Sequence, residues 1–329
     1  MANGFGKQSL ELDAAAEVEW LTEFLRTTVE KMRRQGAVVG ISGGVDSAVV
    51  LALCARALGP ERVLGVLMPE KDSSPESVTL ALALAQHYGV SAVTEDLTAA
   101  LDGAGCYRRR DEAIRQIFPD YRPGWQAKIG LPGDLLDQGT LNIFHITVTD
   151  PAGHAFTQRL PSREFSQIVA ASNFKQRTRM MMLYYHAEAR NFAVVGTSNK
   201  NEHALGFFVK YGDGGADVQL IAHLFKTQVY QLARYLEVPA EIQARTPSAD
   251  TYPGGGSQEE FFYRIPIALL DAIWSGYERG LSGAAIASAL GLAPVQVERV
   301  IRDVVSKQRA TEYLRSPAVH AEAVGSRGE

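Results

Sequence analysis

Ser42-Gly43-Gly44-Val45-Asp46-Ser47 places two hydroxyls, two glycines and one carboxylate within six residues. The stretch follows an apolar run, Ala37-Val38-Val39-Gly40-Ile41, that reads as a short buried strand. It precedes Ala48 to Leu58, which reads as a helix. A glycine-rich turn from strand to helix aims free backbone N–H groups and the positive helix end at one point, which makes an anion site. Ser42 and Ser47 add hydroxyl donors there. Asp46 would repel a bare phosphate, but it suits a phosphate that shares a magnesium ion with it. A turn that only caps a helix needs one polar residue, not this set. Neither Gly-x-x-x-x-Gly-Lys-Ser/Thr nor Gly-x-Gly-x-x-Gly occurs. The residues therefore predict a magnesium–nucleotide site of another kind.

More charged residues cluster downstream. Gly196-Thr197-Ser198-Asn199-Lys200-Asn201-Glu202 is followed by Lys210-Tyr211-Gly212-Asp213-Gly214-Gly215-Ala216-Asp217. Upstream lies Asn173-Phe174-Lys175-Gln176-Arg177-Thr178-Arg179, and downstream lie Lys226 and Pro247-Ser248-Ala249-Asp250. Each has a plain reading as well. Arg177 with Lys175 and Arg179 suits a solvated helix face, Glu202 suits a helix N-terminus, and Asp213 among glycines suits a turn. Lys226 is out of place near a helix N-terminus, which adds to a functional reading. Phe207 and Phe208 are expected in the core. His203 and His223 read as structural, with no metal-ligand spacing between them.

The elements that must position these groups alternate. Residues 14–34 read as an amphipathic helix, Arg62–Met68 as a second strand, Pro75–Tyr88 as a helix and Ser91–Thr94 as a third strand. Phe165–Ala189 reads as a helix and Phe192–Thr197 as a further strand. That order predicts an α/β fold: a doubly wound, mostly parallel sheet with helices on both faces. Ligands of such sheets sit beyond the carboxyl ends of the strands, where the loops at 42–47 and 197–202 both fall. The expected organisation is a main α/β domain over 1–100 and 162–260, an insert over 101–161, and a helical region over 261–329 packed on the same domain. The insert carries a β excursion near 141–157 and reads as a lid or acceptor-side element. Tyr121, Trp125 and the Arg108–Arg110 run are expected at its surface and in its packing.

Composition narrows the class. The chain has 329 residues, 46% hydrophobic and 21% charged, as in ordinary globular proteins. A net charge of −4 speaks against a nucleic-acid partner. No apolar run reaches the roughly 20 residues that span a bilayer, so no membrane role is expected. Two cysteines, Cys54 and Cys106, cannot form a disulfide framework, and the start of the chain lacks a secretory pattern. A cytoplasmic protein is the expectation.

The Ser42–Ser47 loop resembles the pyrophosphate loop of the ATP pyrophosphatases. With the downstream groups, in this order, the chain is similar to the ammonia-dependent NAD synthetases over about 15–96 and 166–252. Lys-Tyr-Gly-Asp-Gly-Gly-Ala-Asp at 210–217 is the most specific piece. The resemblance implies an ATP-dependent ligase. It would transfer AMP to the carboxylate of nicotinic acid adenine dinucleotide, and ammonia would then displace the AMP to give NAD. It implies ATP binding by Ser42, Gly43, Gly44, Val45, Ser47, Arg177, Thr197 and Ser248, with Mg2+ on Asp46 and Glu202. Asp46, Lys226 and Asp217 are implied in catalysis, Asp217 as the group that takes the spare proton of ammonium. Lys210, Tyr211, Asp213 and Asp217 are implied in acceptor binding. A homodimer with the dinucleotide site across the subunit boundary is also implied. A glutaminase domain of about 250 residues has no room beside the core, so ammonia enters free or from a separate subunit.

The chain departs from the family after Asp250, where Gly255 and Ser257-Gln258 replace the usual glutamine and Asp-Glu pair. Gln176 stands where alanine is usual. These changes keep open a ligase that amidates a different carboxylic acid. A nucleotide sensor without turnover is a further alternative. A DNA-binding regulator rests only on a helix-turn-helix pattern at 281–305.

Overall fold

The computed structural model describes residues 5–131, 133–137, 143–246 and 262–321. The apolar runs form the centre. Strands β1 (Ala37–Gly40), β2 (Val63–Leu67), β3 (Ser91–Thr94), β7 (Ala193–Gly196) and β8 (Val218–Gln219) make one sheet in the order β3-β2-β1-β7-β8. Every pairing is parallel, with Val38 opposite Leu64 on one side and Val194 on the other. Side chains alternate between two buried faces, as period-2 geometry demands. Val38, Leu64, Val66 and Val194 pack toward Leu183 and Ala187 of α6 (Ser162–Arg190). Ala37, Val39, Val63 and Val195 pack on the opposite side, against α1 (Ala14–Lys31), α2 (Val45–Leu58) and α8 (Lys226–Tyr235). Cys54 lies wholly buried in that second layer. Helix α3 (Pro75–His87) returns the chain from β2 to β3.

The expected doubly wound sheet is therefore present. Strand order reverses between β1 and β7, which puts the loops at 42–47 and 197–202 side by side at the carboxyl edge.

Between β3 and α6 the chain forms α4 (Thr98–Gly103), α5 (Cys106–Arg115) and an antiparallel sheet, β4 (Gln126–Gly130), β5 (His145–Thr149) and β6 (Ala155–Arg159). The β5–β6 hairpin closes at Asp150–His154, where the His154 N–H donates to Asp150 Oδ1 at 2.9 Å. Ile146, Val148 and Ile129 bury one face of this sheet against Phe165 and Ile168 of α6.

Arg110 is not at the surface of this segment, as its sequence setting suggested, but buried. Its guanidinium pairs with Asp72 at 2.5 Å, and Lys175 Nζ reaches the same carboxylate at 2.7 Å and Glu70 at 3.1 Å. Tyr107 donates to Glu70 at 2.8 Å. Two cations on one carboxylate outweigh the burial that would raise the Asp72 pKa, and hold it below its ordinary value. The cage fastens α5, α6 and the loop after β2 together. A lone buried charge would be far more costly than this paired set. Tyr121 is buried as well, among the sheet's apolar residues.

The C-terminal helices are α10 (Ile267–Glu278), α11 (Gly283–Leu290), α12 (Pro294–Ala310) and α13 (Glu312–Arg315). They follow α7 (Lys200–Leu205), α8 and α9 (Ala240–Ala244) in the chain. Helices α11 and α12 cross at 116° over the turn at Gly291, and bury Ile286, Val297, Val300 and Val304 against Trp274. Among the described residues no single helix is long and apolar enough to cross a membrane.

Candidate functional site

The loop from β1 to α2 is built around its two serines. Ser47 Oγ donates to the Gly44 carbonyl at 2.9 Å and lies 3.3 Å from both Ser42 N and Ser42 Oγ. Gly43 turns the chain at φ +74, and a Cβ there would stand 2.7 Å from the Ser77 carbonyl, so only glycine fits. Arg245 secures the loop from outside, donating to Ser77 Oγ at 2.7 Å and to the Gly43 carbonyl at 3.5 Å. The first N–H groups of α2 have no intrahelical partner and face the same space.

Asp46 sits in the first turn of α2, where the helix field favours a negative charge. Its carboxylate takes the Lys226 ammonium and, at 3.0 Å, the Asn199 Nδ2 donor. Lys226 opens α8 and is 1% exposed. Burial alone would lower its pKa, but Asp46 and Glu202 more than offset that and hold it above its ordinary value. Glu202 comes from α7. The Asn199 side chain caps that helix by accepting the Glu202 N–H at 3.1 Å, and Glu202 Oε2 accepts the Asn199 N–H in return at 3.3 Å. Burial, and then the Asp46 charge, push the Glu202 pKa up to about 8 against the pull of Lys226.

Ser42, Gly44, Asp46, Ser47, Glu202, Lys226 and Arg245 line one cavity of about 520 Å³, with Asn199 held on Asp46 outside the lining. One wall is the α6 stripe Phe165, Val169, Asn173, Gln176, Met180 and Leu183, spaced three or four residues apart as a single helix face requires. Another is the loop after β2, with Met68, Pro69 and Ser73. Phe207, Phe208 and Phe262 close a third side, and Phe144, just ahead of β5, stacks on Phe165 of α6 at 4.3 Å.

The cavity thus brings together Ser42, Gly44, Val45, Asp46, Ser47, Thr197, Glu202, Asp213 and Lys226. The Asp213 carboxylate also shapes its own turn, accepting the Val209 N–H at 2.7 Å. Ser248 lies outside the described residues. Five expected site residues do not line the cavity: Gly43, which shapes the loop behind it, and Arg177, Lys210, Tyr211 and Asp217. Arg177 is exposed, roughly a quarter-turn from the α6 stripe, and donates to the Lys210 carbonyl at 3.4 Å. Arg179 lines the cavity instead. Lys210 is occupied by the carbonyls of Tyr313 and Ser316, both at 2.7 Å. Tyr211 is 57% exposed with φ 58. Asp217 accepts the Val194 N–H at 2.8 Å and the Tyr184 hydroxyl at 3.1 Å, at the start of the β7–β8 pairing.

Phe207 and Phe208 are cavity walls rather than the core residues expected from sequence. Asn199, Arg179, Arg245 and Phe144 are the site residues that sequence reasoning missed. Only Asn199 carried a signal, an asparagine three residues before a glutamate at a helix start.

A family model described as NAD synthase matches residues 17–111 and 135–318 of the chain, with a break inside the segment that carries the small sheet. Over 317 residues the chain is 45% identical to an NH(3)-dependent NAD(+) synthetase of Mesorhizobium japonicum, covering 96% of this chain and 99% of that one. Over 310 residues it is 46% identical to an NH(3)-dependent NAD(+) synthetase of Rhizobium meliloti, covering 94% and 92%. Among solved structures, an NH3-dependent NAD synthetase from Campylobacter jejuni has the same fold. Its TM-score is 0.61 at 22% identity, covering 94% of this chain and 100% of that one. An NMN synthetase from Francisella tularensis gives a TM-score of 0.62 at 20% identity, covering 94% and 99%.

Proposed function

Because the chain belongs to the NAD synthase family, we propose that it is an ATP-dependent ligase converting the carboxylate of nicotinic acid adenine dinucleotide into the amide of NAD with ammonia. The supporting observation is the meeting of Asp46, Glu202 and Lys226, from three separate stretches, beside the Ser42–Ser47 loop. A carboxylate oxygen of the acceptor attacks the α-phosphorus of ATP, and the bond to the bridging oxygen of pyrophosphate breaks. Ammonia nitrogen then attacks the acyl carbon, AMP leaves with the electron pair, and a proton is lost from nitrogen.

Each anion-on-anion approach needs positive charge already in place. The loop N–H groups and the hydroxyls of Ser42 and Ser47 hold the leaving pyrophosphate. Lys226 stays charged in its buried place and neutralises the transferred group. Arg179 serves the nucleotide from α6, in place of Arg177. Thr197 adds a hydroxyl from the neighbouring loop.

The carboxyl pair fits a magnesium ion. Burial, and then the charge of Asp46, push the Glu202 pKa up to about 8, so the pair favours a cation between them. Among the described residues no group of three or more His, Cys, Asp or Glu could hold a metal alone. That donor set suits an ion completed by phosphate oxygens, as magnesium commonly is. Asp46 and Glu202 would hold it, and when bound it neutralises polyphosphate charge.

The aromatic pair Phe144–Phe165, beside the small sheet, forms an acceptor-side wall of the cavity. Met181 and Tyr185 on α6 and Tyr211, all more than half exposed, offer apolar surface to a second copy, in keeping with a homodimer. Cys54 and Cys106 are both free and buried, which suits the reducing cytoplasm. The test is NAD formation by the purified protein from MgATP, ammonium and the deamido dinucleotide, read by enzymatic cycling. Glutamine should not replace ammonium. Pyrophosphate release with another carboxylic acid, such as nicotinic acid mononucleotide, but not with the dinucleotide would overturn the acceptor assignment.

A further inference from the structure

The floor of the cavity is tied to α10 by a buried chain of hydrogen bonds that the reaction scheme leaves unused. Asp271, on α10, is 0% exposed. One carboxylate oxygen accepts Asn201 Nδ2 at 2.5 Å, and the other accepts the backbone N–H of Thr227 at 2.9 Å. Asn201 Oδ1 in turn accepts the backbone N–H of Lys226 at 3.0 Å. The first two N–H groups of α8 are therefore capped by side chains from α7 and α10, while Phe225 at its own N-cap offers none. Asn201 also adjoins Glu202, so the same link fixes the residue that faces Lys226.

We infer that Asp271, acting through Asn201, is a positioning residue that sets the start of α8 so that the Lys226 ammonium stands on Asp46 and beside Glu202. The inference rests on the ligase reading. Asp271 touches no lining group of the cavity through its own carboxylate except by way of α8 and Asn201. A lysine side chain rooted in the first residue of a helix moves with that helix end, so a lost cap there displaces its ammonium. The docking of α10 has a separate apolar support, since Phe225 and Trp274 pack edge-to-face at 5.3 Å.

The experiment compares Asp271→Asn with the reciprocal double variant Asn201→Asp/Asp271→Asn. An asparagine at 271 offers one acceptor to two donors, so one bond of the chain is lost. In the double variant the amide at 271 donates to the carboxylate at 201 and still accepts from Thr227, while the carboxylate at 201 still accepts from Lys226. We expect the single variant to lose about tenfold in kcat with the KM for ATP nearly unchanged, and the double variant to recover most of that loss. A single variant with wild-type kcat would overturn the inference, as would a double variant whose thermal midpoint recovers without its kcat. Pyrophosphate release is the readout, because it follows AMP transfer whichever acid accepts it. If the wild type makes no NAD, the acceptor assignment falls and the same comparison runs on the acid that replaces it.

Discussion

Glu202→Gln should make the protein more stable and less active, with a stability gain that depends on pH. In the folded chain the Glu202 pKa rises from an ordinary 4.5 to about 8, chiefly by burial and then by Asp46. The folded state thus holds a proton that the unfolded chain releases at lower pH. Below about pH 4.5 both states are protonated and the site carries no penalty. As pH rises toward 8 the unfolded state ionises first and gains relative to the folded one. Above 8 the penalty is complete. At about 1.36 kcal/mol per pKa unit the full shift corresponds to about 5 kcal/mol, an upper bound. Glu202 is partly open to the cavity, and screening there reduces the expected value to about 2 kcal/mol. Glutamine has the same shape and keeps an oxygen for the Asn199 N–H. Urea unfolding at pH 4.5, 6.5 and 8.5 should show the variant level with wild type at the lowest pH and ahead of it at the highest. A variant that is less stable at pH 8.5, or a gap that ignores pH, would refute the placement of Glu202 in a partly desolvated site against Asp46.

Lys226→Met should lower kcat for pyrophosphate release by at least about 100-fold, with circular dichroism showing the fold retained. Arg179→Ala should raise the KM for ATP by about tenfold, whereas Arg177→Ala should leave it within twofold of wild type; the reverse order would restore the reading from sequence. Phe144→Ala should raise the KM for the deamido dinucleotide by about fivefold and leave that for ATP unchanged. Gly206→Ala should destabilise the protein by about 2 kcal/mol or more. Its φ is +76 and a Cβ would stand 2.3 Å from Thr311, which thermal unfolding will register.

The Ser42–Ser47 loop was legible because strand, glycines and helix are contiguous, and local geometry alone aims its donors. The parallel sheet was legible because Val38-Val39 and Val194-Val195 sit in short apolar runs that alternate with helical segments and end at polar or glycine turns, whereas the equally apolar Val49-Val50 belongs to a longer, helical run. The α6 residues were harder. Arg177 and Arg179 are two apart, so a helix must point them in different directions, and no pattern along the chain says which one the sheet will face. The burial of Arg110 depends on Asp72 and Lys175, which lie 38 and 65 positions away, and a basic run gives no hint of such partners. Asp217 sits in the most specific stretch of the chain, yet its carboxylate is held by the Val194 N–H and Tyr184, a contact made only by sheet register.

Helix α6 serves three layers at once: Ile168 belongs to the small sheet, Lys175 to the ion cage, and Leu183 and Ala187 to the main sheet. One residue added between positions 169 and 183 would rotate everything on one side of it by about 100° relative to the other, and no shift of the neighbours could restore all three contacts. The Asp150–His154 turn bears no such constraint. Length variation among relatives should therefore collect at hairpin tips and be absent from α6, and loop grafting to retune the acceptor belongs at those tips.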